Sequence, residues 1–366
     1  MNTPRMVMHV DFDYFYAQCE EVRNPTLKAK PLIVCVFSGR TEDSGVVSTA
    51  NYVARSYGVR SGIPIRVAKS KLNNVPDAVF LPLDMAYYSE ISDKAMLLIQ
   101  SFASQFEQVG IDECFIDVSD ETRGIESAEA LASRIKEAIR TEIKLTCSIG
   151  VAPNKLLAKI ASDFKKPDGL TVIDPQSALG FIADLEVEKI SGIGPKTSAR
   201  LGEMGVKTIR DLEGIDRFKL VEEFGRKTGA FLYNAARGMD DEPVADTGEK
   251  KQIARIMTLK EDASSGQEMA DALNELCRSV FGIARTRDLS FKSVGVIVIL
   301  NNLDQRTKSK ALKIPSTDFD LLLSTTRDLL AELMSSGDQL RVRRLGIRIS
   351  ELQDTSGQNT MSQFMG

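Results

Sequence analysis

An α+β fold of several domains is what this sequence predicts, and three observations carry the prediction. The chain has 366 residues, and at roughly 100–200 residues per domain that means roughly two to four domains. Strand-like and helix-like stretches alternate through about residue 175, after which short helices separated by glycines give an all-α texture to about Gly238. A polar, acidic stretch, Gly238 to Lys251 (GMDDEPVADTGEKK), then reads as a linker into a second α/β unit.

The elements follow in order. Met6 to Val10 is apolar and β-prone, and Phe12 to Glu21 reads as a helix. Pro31 to Phe37 (PLIVCVF) is a short β-branched run, expected as a buried strand. Ser44 to Ala50 reads as strand or turn leading into a helix from Tyr52 to Tyr57. Ala86 to Phe106 is predicted helical, Phe106 to Asp117 and Leu145 to Val151 as strands, with a helix from Ser127 to Glu142 between them. Beyond the linker, strands are predicted at Ile253 to Leu259, Ser293 to Leu300 and Val342 to Ile349, with helices around Glu268 to Arg285 and Asp318 to Met334. The last residues, from Asp354, are polar and expected to order only when bound.

Composition narrows the chemistry. The apolar share of 43% fits a globular protein. No apolar run approaches the roughly 18 residues of a membrane span, and the N-terminus has no signal-peptide pattern, so a soluble cytoplasmic protein is expected. Five scattered cysteines and one histidine, His9, offer neither a disulfide framework nor a zinc site; His9 reads as a strand residue. Any bound metal must be held by carboxylates, which favours hard cations such as Mg²⁺ or Mn²⁺. The net charge is -4, yet residues 250–348 carry 17 Lys/Arg against 12 Asp/Glu. A basic C-terminal module on an acidic core is the pattern of a protein that meets a polyanion.

Two places look chemical. In HVDFDYFY, Asp11 and Asp13 follow an apolar strand; in GIDECFID, Asp112 and Glu113 are neighbours inside an apolar stretch. Adjacent buried acids are unfavourable unless a cation neutralises them. Strand neighbours point to opposite faces, so both serve one site only at a twist or hairpin bend. If Asp11 and Asp112 meet on adjacent strands they can bridge two divalent ions, with Glu113 completing one shell beside an attacking hydroxyl. The plainer reading makes Asp112 and Glu113 a turn paired with surface lysines. A D-x-D after a strand also opens haloacid-dehalogenase-type phosphatases, but Phe15 stands where that family has Thr or Val.

Taken together, HVDFDYFYAQCEEVRNP, FSGRTEDSGVVSTANYVARSYGVRSGIP, GIDECFIDVS and SIGVAPNKLLAKIASDFKKPDG resemble the Y-family DNA polymerases, in particular the DinB or polymerase IV-like group and an archaeal member of it. The resemblance runs in the right order over essentially the whole chain. It implies a right hand: palm at 1–14 and 81–174, small fingers at 15–80, a helical thumb at 175–240, a linker at 241–252, a little finger at 253–352 and a tail at 353–366. It implies a distributive, low-fidelity DNA polymerase without proofreading that acts as a monomer on primer–template DNA and dNTPs. A non-catalytic DNA- or clamp-binding scaffold of the same fold is the alternative. Asp11, Asp112 and Glu113 fall on the family's catalytic, metal-binding carboxylates, with the Phe12 carbonyl assisting two Mg²⁺ ions, or Mn²⁺. Tyr16 falls on the steric gate against a 2'-hydroxyl. Phe15, Tyr16, Thr49, Tyr52, Arg55 and Lys166 fall on nucleotide-binding positions, and hydroxyl, phenol, guanidinium and ammonium groups are apt donors to a triphosphate. The family's usual Ser and Ala around the acid pair are Gly110 and Cys114 here, both small-for-small changes.

Three further segments bear on partners. Ile190 to Lys196 (ISGIGPK) is a helix–hairpin–helix signature in which Gly192, Gly194 and Lys196 present backbone N–H groups and charge to a phosphate. The strand VRRLGIRIS should put Arg344 and Arg348 on one face and Arg343 on the other, tracking the DNA backbone. Gln358, Met361, Phe364 and Met365 (Q-x-x-M-x-x-F-M) resemble the peptide that docks on sliding clamps, with Met365 in place of the second aromatic.

Overall fold

The computed structural model describes residues 5–245, 252–335 and 341–355. They divide into two compact units: Met1–Cys35, Val47–Ile63 and Ala68–Asp246, and Val36–Val46, Pro64–Val67 and Thr247–Gly366.

Eight strands precede the linker: β1 (Val7–Phe12), β2 (Leu32–Phe37), β3 (Gly45–Ala50), β4 (Val79–Pro82), β5 (Gln105–Gln108), β6 (Glu113–Asp117), β7 (Cys147–Ala152) and β8 (Leu170–Val172). They form a five-stranded sheet in the order β5-β6-β1-β7-β8 and a three-stranded sheet in the order β3-β2-β4. The centre of the first sheet, β1, lies antiparallel to β6 and β7, so both its backbone edges are paired and its side chains alternate between two cores. Met8, Val10 and Phe12 enter a core with Tyr88, Ile99 and Ile135. Val7 starts the opposite row, packing with Leu156 and Ile160 of the helix Lys155–Phe164. His9 and Asp11 continue that row by period two, His9 fully buried and Asp11 at its half-open end.

The expected strand Phe106 to Asp117 is a hairpin instead. β5 and β6 pair antiparallel, and the N–H groups of Val109 and Gly110 both donate to the Glu113 carbonyl. The preceding helix ends at Gln100, short of Phe106, and the first helix begins at Phe15, because Tyr14 turns into the left-handed region at φ 35°.

From Ala178 to Ala236 the chain is helical. Its first hairpin turns at Gly192 (φ +97°), where a Cβ would meet the Phe231 ring at 3.4 Å. A second hairpin, absent from the sequence reading, interrupts Arg217–Ala236 at Gly225. Near it Gly229 lets two helices approach so closely that a Cβ would lie 2.5 Å from the Leu220 carbonyl oxygen.

The second unit contains β9 (Gln252–Ala263), β10 (Leu289–Leu300), β11 (Gln305–Ser316) and β12 (Val342–Asp354), ordered β11-β10-β12-β9. Helices Ala270–Thr286 and Phe319–Met334 cover one face, burying Val294, Val296, Val298, Leu345 and Ile347. Arg344 and Arg348 pair with Ile299 and Gly295 on β10 and so lie on the other face. Strand β11 was missed: its alternation is between lysines and small polar residues rather than apolar and polar ones.

Candidate active site

The hairpin resolves the opposite-face problem of two neighbouring acids. Glu113 is the first residue of β6 and lies opposite Asp11 in register. Asp112 is still in the turn, and its carbonyl accepts the Phe12 N–H at 2.9 Å. The turn is held from beneath by the Ser92 hydroxyl, which donates to the Ile111 carbonyl. Gly110 is small for a reason: a Cβ there would lie 2.9 Å from Glu113 Cγ and 3.4 Å from Asp112 Oδ1.

Two ammonium groups attend the acids. Lys166 Nζ is 2.7 Å from Asp11 Oδ1 and 2.9 Å from Asp163; Lys159 pairs closely with Glu113 Oε2. His9 Nε2 is 3.3 Å from the same oxygen. The electrostatics split accordingly. Burial raises the carboxyls of Asp11 and Asp112; Lys166 opposes this at Asp11, whereas Glu113 reinforces it at Asp112. Glu113 goes the other way, held at about 2 by the His9 hydrogen bond and by Lys159. His9 itself is lowered by burial. One atom each from His9, Asp11 and Glu113 lie within 4.8 Å of one another. Asp112 does not fall within that group; the carboxylates of Asp11 and Glu113 supply the oxygen donors that suit a hard divalent cation.

Asp13 is not part of this cluster. Its buried carboxylate accepts from Ser148 Oγ (2.8 Å), Thr146 Oγ1 (2.8 Å) and the Asp168 N–H (2.9 Å). It ties the end of β1 to β7 and to the turn that carries Lys166. Lys155, fully engaged with both oxygens of Glu107 at 2.9 Å, anchors the helix that presents Lys159. Neither role was read from the sequence, nor were those of His9 and Lys159. A weak signal was the cationic spacing Lys155–Lys159 in KLLAKIASDFKK, one helical turn apart.

Of the residues predicted for the nucleotide side, Tyr16 and Tyr52 join Lys166 near the acids. Tyr16 stacks on the buried ring of Tyr88 (4.8 Å, 28°), whose hydroxyl donates to Glu20 at 2.8 Å; Tyr16 feels the Asp112 charge. Arg55 lies over the Tyr52 ring at 4.9 Å, and its Nε donates to the Ala50 carbonyl at 2.8 Å. The Tyr52 hydroxyl is within electrostatic reach of Arg55, Asp13, Lys166 and Asp11. Thr49 is buried on β3. The ring of Phe15 is in the core, so only its backbone can face a ligand. The helix Phe15–Arg23 has no side-chain cap, which leaves first-turn N–H groups for an anion.

Elsewhere, Gly194 caps the helix Pro195–Glu203 without a side-chain hydrogen bond, and Lys196 is exposed in its first turn. Arg348 packs across Gly295, and its Nε, shielded from solvent, has no protein partner. Gln358, Met361, Phe364 and Met365 lie outside the described residues.

An acid cluster beside lysines at the ends of the central strands, next to an uncapped helix, is the apparatus of a metal-assisted phosphoryl transferase. The impB/mucB/samB family matches residues 10–163, its C-terminal domain residues 250–361, and the DNA polymerase-iota thumb domain residues 188–240. DNA polymerase IV of Nitrosopumilus maritimus is 47% identical, over 98% of this chain and 99% of that protein. DNA polymerase IV of Saccharolobus solfataricus is 36% identical, over 96% and 98%. The solved Y-family DNA polymerase chimera Dbh-Dpo4(243-245)-Dbh superposes with a TM-score of 0.89 at 35% identity, covering 96% of this chain and all of that one. The chain belongs to the Y family of DNA polymerases, in its DinB-like, DNA polymerase IV branch. It is a metal-dependent translesion DNA polymerase with the right-hand fold of that family. Among the described residues no helix is long and apolar enough to cross a membrane.

Proposed function

We propose that Asp11, Asp112 and Glu113, with the Phe12 carbonyl, hold two Mg²⁺ ions and that this chain extends a primer by phosphoryl transfer at that site. The observation carrying the reading is the β5–β6 turn, which brings Asp112 against Phe12 while Glu113 sits opposite Asp11. When bound, the ions lower the pKa of the primer hydroxyl and neutralise the leaving pyrophosphate. The chain's own residues do the rest. Lys166, Arg55, Tyr52, Thr49 and the open amides of Phe15 and Tyr16 grip the triphosphate, and Asp13 fixes the turn from which Lys166 reaches. The Tyr16 ring, braced by Tyr88, forms the wall under the sugar.

Residues 15–80 serve as fingers, 1–14 and 81–174 as palm, 175–240 as thumb and 253–352 as little finger. The hairpin at Gly192 to Lys196 grips duplex phosphates through backbone N–H groups. Arg344 and Arg348, on the sheet face away from the two helices, follow the backbone. The protein works as a cytoplasmic monomer, and the tail from Gln358 to Met365 tethers it to a sliding clamp. The test is extension of a labelled primer across a defined abasic template after chelation. Extension should return with Mg²⁺ and Mn²⁺, while Ca²⁺ supports binding alone; extension under chelation would reject the metal reading.

A further inference from the structure

We propose that His9 is a positioning residue for Glu113: its buried imidazole, anchored on Ser162, donates Nε2–H to one carboxylate oxygen and leaves the other to face an ion. This rests on the reading of Glu113 as an ion ligand. His9 is the chain's only histidine and is fully buried in β1. Its Nδ1 is 2.8 Å from Ser162 Oγ, and its Nε2 is 3.3 Å from Glu113 Oε2 and 3.5 Å from Lys159 Nζ.

The tautomer follows from its neighbours. A proton on Nδ1 would donate to Ser162 Oγ, whose own hydrogen goes to the Lys159 carbonyl at 2.9 Å, but it would turn the Nε2 lone pair toward a carboxylate with only the Lys159 ammonium, already closer to Oε2, to meet it. A proton on Nε2 donates to the carboxylate, and the Ser162 hydroxyl then turns from that carbonyl to Nδ1. Ser162 lies one turn from Lys159 on the same helix, so one element fixes both groups that hold Oε2. On the other side Gly110 leaves room: a Cβ there would lie 3.5 Å from Oε1. One oxygen is held by two donors while its twin has space. A neutral histidine thus does what a partner hydrogen-bonded to a ligating carboxylate does in metal sites generally, where its loss lowers affinity or activity by about 10–100-fold.

The experiment compares His9→Phe, which keeps ring packing on Phe115 (4.5 Å between centroids) but has no donor, with His9→Gln, whose amide can donate at the Nε2 position. Mn²⁺ affinity is read by EPR in complexes of the full chain with primer–template and a non-hydrolysable dNTP. Single-turnover extension and the Tm of the metal-free protein accompany it. His9→Phe should bind DNA normally, lose about 10–100-fold in Mn²⁺ affinity and in rate, and His9→Gln should recover most of both. Wild-type Mn²⁺ affinity in His9→Phe, or equal loss in both variants with a lowered Tm, overturns the proposal. If His9→Phe does not fold, Ser162→Ala decides: reduced Mn²⁺ affinity supports the anchor, unchanged affinity refutes it. Glu113→Gln separates the levels, since undiminished Mn²⁺ affinity there would remove the ion-ligand reading itself, and this proposal with it.

Discussion

Replacing Asp112 with asparagine should make the metal-free protein more stable while removing its activity. The Asp112 carboxyl is raised in the folded chain by burial and by Glu113 beside it. A raised group favours the folded state while protonated, and that contribution is lost as pH rises through the raised value. At pH 7 the ionised carboxylate is therefore a net liability, which an isosteric amide removes. Relieving such a functional-site conflict commonly gives about 0.5–2 kcal/mol. At about 2–4 °C per kcal/mol for a unit of 150–250 residues, a central gain of about 1 kcal/mol raises Tm by about 2–4 °C. The advantage should disappear as pH falls below the ordinary carboxylate range. Glu113 behaves oppositely: held at about 2, it stabilises above its ordinary pKa and loses that stabilisation as pH falls toward 2. Calorimetry of the wild type and Asp112→Asn at pH 7 and pH 4, with and without Mg²⁺, reads all of this. Mg²⁺ should raise the wild-type Tm and leave the variant nearly unmoved. A variant less stable at pH 7 without metal would refute the electrostatic argument.

Tyr16→Ala removes the wall stacked on Tyr88 and should admit ribonucleotides; competition between dNTP and rNTP measures it, and unchanged discrimination rejects the steric-gate assignment. Lys166→Met deletes a charge-assisted contact of about 1.5–3 kcal/mol, so the dNTP concentration for half-maximal single-turnover rate should rise about 10–150-fold; an unaltered value removes Lys166 from the triphosphate site. Truncation after Gly357 should leave extension by free enzyme intact and abolish stimulation by a sliding clamp, and persisting stimulation would place the contact elsewhere.

Much of the first unit was legible because its signals are local. β1 and β2 are apolar runs, and both acid motifs stand at strand ends. The β5–β6 turn was hidden because Gly110 alone, between the apolar Val109 and Ile111, is too brief a break to read as a loop, although the need for a bend was evident from Asp112 and Glu113 being neighbours. His9 was read as a strand residue, which it is. Its second role depends on Ser162, 153 positions away, and no spacing rule links them. Asp13 looked like half of a D-x-D pair but faces Thr146 and Ser148 rather than the acids, since hydroxyl donors at the start of β7 and just before it satisfy it. The Gly225 hairpin escaped notice because the apolar pattern runs through it.

Asp11 lies opposite Glu113 of the hairpin across one strand pairing, and the metal site depends on that pairing. Asp11→Ala, tested with Mg²⁺ for primer–template affinity by fluorescence anisotropy and for single-nucleotide extension on the same sample, addresses this directly. Retained DNA affinity with extension lost is the predicted result. Extension at the wild-type rate would contradict it.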